Sequence, residues 1–453
     1  MEDYAPEFLY EVAAFRRLTS LLGMQDGEKL RNYLGVSVDA IRKKMVRNSA
    51  SIEFVTYQDV TGKEYYAAVV LPFAGSAKFV RLFPTEFLYE PEIVGTNSIF
   101  NAIKRDSKHD KDALYSDSEL ANVIWNPILD NIPPDTKTIY FAPEGIFHFW
   151  GIENMPFDGK DRFDIRRVST TVDMGQTKGV SPDTAAMLLI GGLNYSAFPS
   201  DTIHKERNHV AAEVLTRKVG STNVFKYLPA TRIEVDSISK RFENARKIYH
   251  VGEGKIKDML PEYRIIHIAT HGYSLNIGVR KRPEYMADSL AYDESLNSCA
   301  LALTGANVLS TTDSDNDGLL SAREICELDL TNVDFAILSA CQTAQGNITD
   351  EGAAGLIRGL KNAGVKTVMA TLWSVDDRST MLFMDRFYKL LSQGKTKHDA
   401  YIGAQNFLRE YKKCVPKRKF SPRTLSSEKE TDYKITRYDS PYYWAPFILI
   451  DDF

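Results

Sequence analysis

Four runs in the second half of the chain, AAMLLIGG, YRIIHIAT, VDFAILSA and VKTVMATLW, are nearly continuous in apolar residues and are separated by stretches of helical periodicity. A strand with one face in water alternates apolar and polar residues, whereas a strand covered on both faces does not. The four runs therefore predict a parallel sheet sandwiched by helices, an α/β doubly wound arrangement. Helices are expected at EVDSISKRFE, GAAGLIRGLKNAG and RSTMLFMDRFYKLLSQG. A final apolar strand, YYWAPFILI, follows a basic, polar stretch from about 412 to 438 that reads as an exposed loop.

The first half is organised differently. Apolar residues recur at helical spacing through Phe8, Val12, Phe15 and Leu18, and KLRNYLGVSVDAIRKKM continues helically, which predicts a helical leader over residues 1–49. SIEFVTYQDV, TGKEYYAAVVLPF and AKFVRLF, punctuated by Thr61-Gly62 and Gly75-Ser76, read as a meander. Mixed helices and strands follow, so that 50–180 forms one unit and 181–453 a second.

With 56 basic and 60 acidic residues the formal net charge is −4, which points to neither nucleic acid nor a membrane surface as a partner. The four cysteines, Cys299, Cys326, Cys341 and Cys414, lack metal-ligand spacing and are too few for a disulfide framework, so a reducing, cytoplasmic setting is expected. No basic n-region opens the chain, and no apolar run approaches the roughly 18 residues of a membrane span.

Two of the apolar strands end in residues with chemistry: IIHIATHGYS reaches His271 and Gly272, and FAILSACQTAQG reaches Cys341. In open parallel sheets ligands sit beyond the carboxyl ends of the strands. A cysteine and a histidine meeting there form a nucleophile and its base, with the backbone N–H groups of Gly272 and Cys341 as donors to a developing oxyanion. A lone cysteine after an apolar strand is most often a buried small hydrophobe and a lone histidine more often a hydrogen-bonded core residue than a base; the two strand ends together carry the reading. HIATH also spaces two histidines like a zinc helix, but Ile268 stands where the catalytic Glu would be and the run reads as a strand.

DSDNDGLLSARE, residues 313 to 324, matches a calcium loop with oxygen ligands at Asp313, Asp315, Asp317 and Glu324. The preceding CALALTGANVLSTT does not read as the entering helix an EF-hand needs, and calcium is kept as a candidate ligand without a role in the chemistry.

HIATHGY, DGLLSAREICELDL, DFAILSACQTAQG, GLIRGLKNAGVKTVMATLWSVDDRST and YYWAPFILI resemble the CHAT-domain peptidases, caspase-like and separase-like cysteine proteases often found beside tetratricopeptide repeats. SIEFVTY, YYAAVVLPF, IWNPILDNI, IYFAPEGIFHF and MLLIGGLNY extend the likeness to roughly 50–450. The resemblance implies a caspase-like parallel or mixed sheet flanked by helices, with 50–180 a non-catalytic, pseudo-protease-like half and 181–453 the catalytic one. It implies His271 as general base, Cys341 as nucleophile and Gly272 in the oxyanion hole, with no cofactor required. Ser339 falls two before the nucleophile, where basic-specific relatives may carry an acid. Asp376 or Asp377 matches the separase acid that receives a P1 arginine, and capping of the following helix explains that pair equally well. Trp373 is expected to wall the cleft.

The resemblance thus implies a bacterial cysteine endopeptidase with a protein substrate, in a regulated pathway such as defence or cell death. A gasdermin-like substrate and a helical-repeat or regulatory partner belong to that expectation. The alternatives are a catalytically silent scaffold of the same fold and a calcium-regulated variant. The segment 274–298 reads as a surface loop, in the place where caspase-like enzymes carry activation loops.

Overall fold

A computed structural model describes residues 4–21, 37–172, 174, 185–197, 225–274, 296, 299–308, 316–340, 348–349, 352–353, 355–374, 376–416 and 433–451. The alternation of side chains along each strand sorts the apolar residues onto two faces, and both faces are covered. Strands β1 (Ser49–Gln58), β2 (Glu64–Pro72) and β3 (Lys78–Pro84) form the expected antiparallel meander, and β4 (Thr138–Ala142) and β5 (Asp164–Arg167) add in parallel beside β1. The second half supplies β6 (Met187–Ile190), β7 (Ala245–Ile248) and β8 (Ile265–Thr270). A small ladder joins β9 (Gly272–Ser274), β10 (Cys299–Ala302) and β11 (Leu319–Ser321). Next come β12 (Phe335–Ala340), the short pair β13 (Ile348–Thr349) and β14 (Gly352–Ala353), and β15 (Thr367–Thr371). Last are β16 (Lys412–Pro416), β17 (Tyr433–Arg437) and β18 (Phe447–Ile450).

The main sheet has eleven strands in the order β3-β2-β1-β4-β5-β18-β15-β12-β8-β6-β7. The block β15-β12-β8-β6-β7 is wholly parallel, as the unbroken apolar runs require. The last strand, β18, runs antiparallel to β15 and parallel to β5, and so stitches the two halves into one mixed sheet. The stretch expected as a loop over 412–438 instead begins and ends as a ladder, β16 pairing with β17. The ladder lies outside the main sheet.

On one face of the C-terminal half, Leu189, Ile265 and Ile337 pack against Val235 and Ile238 of helix Pro229–Ser239 and Phe383, Phe387 and Tyr388 of helix Asp377–Ser392. On the other, Leu188, Ile190, Ile266, Ile268 and Leu338 meet Ile256 and Met259 of helix Glu253–Met259 and Leu356 and Leu360 of helix Leu356–Asn362. The leader helix Pro6–Leu21 lies on the N-terminal half, with Leu9, Tyr10 and Phe15 against Val69, Leu71 and Tyr140. Its Arg17 sits where the pairing of β1 with β4 ends: Nε donates to Glu53 at 2.7 Å, one terminal nitrogen to the Phe54 carbonyl at 2.8 Å, and the other to the Pro143 carbonyl. No described helix is long and apolar enough to cross a membrane.

Where the halves meet, the Phe383 ring stacks on Phe447 with centroids 3.8 Å apart, and both are fully buried. Phe383→Ala removes that contact and opens a cavity under β18, so a loss of about 3–5 kcal/mol in unfolding free energy is expected from urea denaturation.

Candidate active site

Strands β8 and β12 are parallel neighbours whose last residues, Thr270 and Ala340, are partners in register. His271 therefore leaves the sheet at the same level at which β12 ends. Cys341, the next residue in sequence after Ala340, lies outside the described residues, as do Asp313, Asp315 and the greater part of 274–298.

The His271 ring is half-buried between two aromatic side chains, Tyr195 at 5.1 Å and Phe225 at 5.5 Å between centroids. Its Nε2 lies 2.7 Å from the carbonyl oxygen of Lys226. A carbonyl only accepts, so Nε2 carries the proton, and in the neutral ring the lone pair is left on Nδ1. Nδ1 has no hydrogen-bond partner among the described residues, and it is the atom able to exchange a proton with a reacting group. Thr270, one residue earlier, is held by Tyr195, with 3.0 Å between their hydroxyls, and donates to the Ala302 carbonyl at 2.5 Å.

Gly272 pairs with Leu301 of β10 in an antiparallel ladder in which Ala302 N–H donates to the His271 carbonyl at 3.0 Å. The Gly272–Leu301 pair is thus a non-hydrogen-bonded one, and the Gly272 N–H turns away from β10. That orientation leaves it available as a donor to an oxyanion.

The other histidine of the motif, His267, is wholly buried. Its Nε2 lies 2.8 Å from Glu234 and its Nδ1 3.0 Å from the Tyr388 hydroxyl, so both nitrogens are satisfied within the protein. Helix Pro229–Ser239 carries Glu234 and starts three residues after Lys226, so this buried contact ties the helix, and the segment entering it, to β8.

The pocket candidates separate. Ser339 is buried on β12 opposite Ala269, on the sheet face shared by His267 and helix Asp377–Ser392. Asp376 is the N-cap of that helix, its carboxylate accepting from Ser379 N at 3.0 Å. Asp377 is exposed and makes no cap. Partial desolvation and then Asp376 push its carboxyl above the ordinary Asp value, while His271 pulls it down, which puts Asp377 within electrostatic reach of the histidine. Trp373, expected to wall a cleft, is instead fully buried: its ring packs on Tyr115 at 5.1 Å, beneath the Lys111 ammonium at 4.9 Å, and its Nε1 donates to the Tyr442 carbonyl at 3.1 Å. An aromatic ring at a strand end serves core and cleft equally well, and here helix Lys108–Ser116 covers it.

Of the other cysteines, Cys299 is a free thiol in β10 that burial pushes up to about 12, which leaves it no nucleophilic thiolate near neutral pH. Cys326 is partly exposed, and its sulfur accepts from Asn362 Nδ2 at 3.5 Å.

The calcium pattern has a local structural use. Glu324 forms a capping box with Ser321 at the start of helix Ala322–Cys326, and the Asp317 carboxylate accepts from Leu319 N at 2.8 Å. The Lys257 ammonium sits 2.7 Å from a carboxylate oxygen of Glu253 and 2.7 Å from one of Glu324, supplying the positive charge between them. Gly318 has φ +82°, and a Cβ there would lie 2.7 Å from Ala306 N. Among the described residues no group of three or more His, Cys, Asp or Glu side chains could hold a metal ion. The segment before the loop begins as β10, not as an EF-hand helix.

The model of the CHAT domain family matches residues 116–452. Tetratricopeptide repeat protein 28 of Mus musculus is 34% identical over 76 residues, which cover 17% of this chain and 3% of that protein. The Saccharomyces cerevisiae separase–securin complex aligns with a TM-score of 0.34 at 12% identity, over 60% of this chain and 14% of that one. The Arg-specific cysteine proteinase gingipain R aligns with a TM-score of 0.35 at 9% identity, over 70% of this chain and 63% of that one. The chain spans less than two thirds of the length of each of these relatives.

Removing the ammonium between Glu253 and Glu324 tests the charge balance of this cluster. Burial and the facing Glu324 push the Glu253 carboxyl up, and Lys257 opposes them. In Lys257→Met one carboxyl must stay protonated in the folded state at pH values where it is ionised in the unfolded chain, so stability falls as pH rises. Urea denaturation is expected to show a loss of about 1–3 kcal/mol at pH 8 and a smaller one at pH 5; equal losses at both would show the two carboxyls to be independent.

Proposed function

The chain belongs to the CHAT domain family, and on that premise we propose that it is a cysteine endopeptidase with Cys341 as nucleophile and His271 as its acid–base partner. The observation that carries this reading is the in-register pairing of Thr270 with Ala340, since His271 and Cys341 are the residues that follow them. Parallel neighbours lie about 4.8 Å apart, within the span that two side chains bridge.

The chemistry follows from the tautomer. Nδ1 of His271 takes the thiol proton and the Cys341 thiolate attacks the scissile carbonyl carbon. The electron pair displaced onto oxygen is met by backbone N–H groups, that of Gly272 and that of Cys341 itself. As the tetrahedral species collapses, Nδ1 returns its proton to the leaving amine and the C–N bond breaks. Water, deprotonated by the same nitrogen, then hydrolyses the thioester, giving the acid and the free thiol. Throughout, the Nε2–H···O bond to Lys226 holds the ring, and it strengthens when the ring is charged.

Asp377 is the side chain we assign to a basic P1 residue. It stands near His271 with a carboxylate that Asp376, by taking the cap, leaves uncommitted. Ser339, small and uncharged on the same face, leaves room for a long P1 side chain without adding charge.

Cys341→Ala and His271→Ala are each expected to bring hydrolysis of a peptide library down to the uncatalysed level; activity persisting in Cys341→Ala rules out the assigned nucleophile, and a wild-type protein that cleaves nothing favours a silent scaffold. In Asp377→Asn, kcat/KM for Arg and Lys substrates is expected to drop about tenfold, equivalent to about 1.4 kcal/mol, with substrates uncharged at P1 unaffected.

A further inference from the structure

We propose that Asn307 is a positioning residue for His271, through a carboxamide that fixes Phe225, one aromatic wall of the imidazole, and with it the Lys226 carbonyl that sets the ring's tautomer. The inference rests on the dyad reading for its catalytic consequence, but not for its geometry.

Asn307 is almost fully buried, and its side-chain amide and backbone N–H are engaged by the segments that enclose His271. Its Oδ1 accepts from Phe225 N at 3.0 Å and its Nδ2 donates to the Phe225 carbonyl at 2.8 Å. A single side chain thus pairs with both backbone groups of one residue, as a neighbouring strand would. Nδ2 also donates to Ser196 Oγ at 3.1 Å, and the Asn307 backbone N–H donates to the Tyr195 carbonyl at 2.9 Å. Phe225 and Tyr195 are the two rings that flank His271, and they contact each other at 5.9 Å. Lys226, whose carbonyl accepts from Nε2, is the residue after Phe225.

Only an amide satisfies this site. A carboxylate at 307 would face the Phe225 carbonyl with no proton to offer, and an apolar side chain would leave a buried N–H and C=O without partners. The turn that presents Asn307 is itself held from behind. Ala306 N donates to the Leu303 carbonyl and Val308 N to that of Gly305, and the backbone of Ala306 lies so close to Gly318 that a Cβ would collide with it. Gly318, the glycine of the calcium-like motif, therefore has a role two steps from the histidine.

Loss of the grip lets Phe225 and the Lys226 carbonyl drift, which frees the ring to rotate and weakens the bond that favours its protonated form. In Asn307→Ala, kcat is expected to fall about 10- to 100-fold with KM little changed, since a misplacement near 1 Å costs on that order. The acid limb of the pH–rate profile should move to lower pH. Nitrogen NMR of the 15N-histidine-labelled protein should show the Nε2–H tautomer at His271 in the wild type and a mixture in the variant. Asn307→Asp, which keeps the bond from Phe225 N, serves where Asn307→Ala does not fold, with the same expected tautomer change. An unchanged tautomer and pH profile in a folded Asn307 variant would overturn the proposal, whatever happens to kcat. Activity surviving in Cys341→Ala would remove the dyad reading and leave the tautomer result to decide this one.

Discussion

Everything proposed for this protein depends on one pairing, the parallel alignment of β8 with β12 such that Thr270 and Ala340 end together. The alignment is not adjustable. Both strands are buried on both faces, so a slip by one residue would exchange Ile266 and Ile268 for His267 and Ala269 on each side and put a paired polar network into an apolar layer. The packing of the core therefore fixes the level at which the chain leaves each strand, and the chemistry inherits that level.

Apolar packing sets the sheet but not the angle of a histidine ring. That is done by a second class of contact: polar side chains of the C-terminal half that join one segment of the chain to another. Glu234 meets His267, Lys257 joins Glu253 to Glu324, and Asn307 grips Phe225. A buried polar group left unpaired costs about 1–3 kcal/mol, so each such contact permits one arrangement of the segments it joins. Three of these segments, 191–197, 225–239 and 303–308, converge on His271.

The parallel block was legible because strands covered on both faces lose the alternating pattern, and AAMLLIGG, YRIIHIAT, VDFAILSA and VKTVMATLW all became strands of the main sheet. Placing β18 between β5 and β15 was not, since strand order depends on which edges remain open once the halves have formed. The ladder formed by β16 and β17 was missed because a short, charge-rich stretch without apolar periodicity reads as loop. At the site, the strand-end histidine was visible from its small neighbours. The Lys226 carbonyl was not, because a backbone acceptor leaves no trace in residue identity. Asp376 and Asp377 could not be told apart until the helix start was known, for only the residue before the first helical one can cap it. Asn307 was written in the sequence, within TGAN, but nothing local distinguishes an asparagine that stabilises its own turn from one that holds a segment far away in the chain.

The central claim is that the cysteine following Ala340 is the nucleophile served by His271. Peptide mapping by mass spectrometry, after reaction of the intact protein with a peptidyl acyloxymethyl ketone at neutral pH, addresses it directly. The account predicts one thioether adduct, on Cys341, whose formation slows sharply when His271 is replaced by alanine. An adduct on Cys299, Cys326 or Cys414 with Cys341 unmodified, or labelling of Cys341 at the same rate without the histidine, would contradict it.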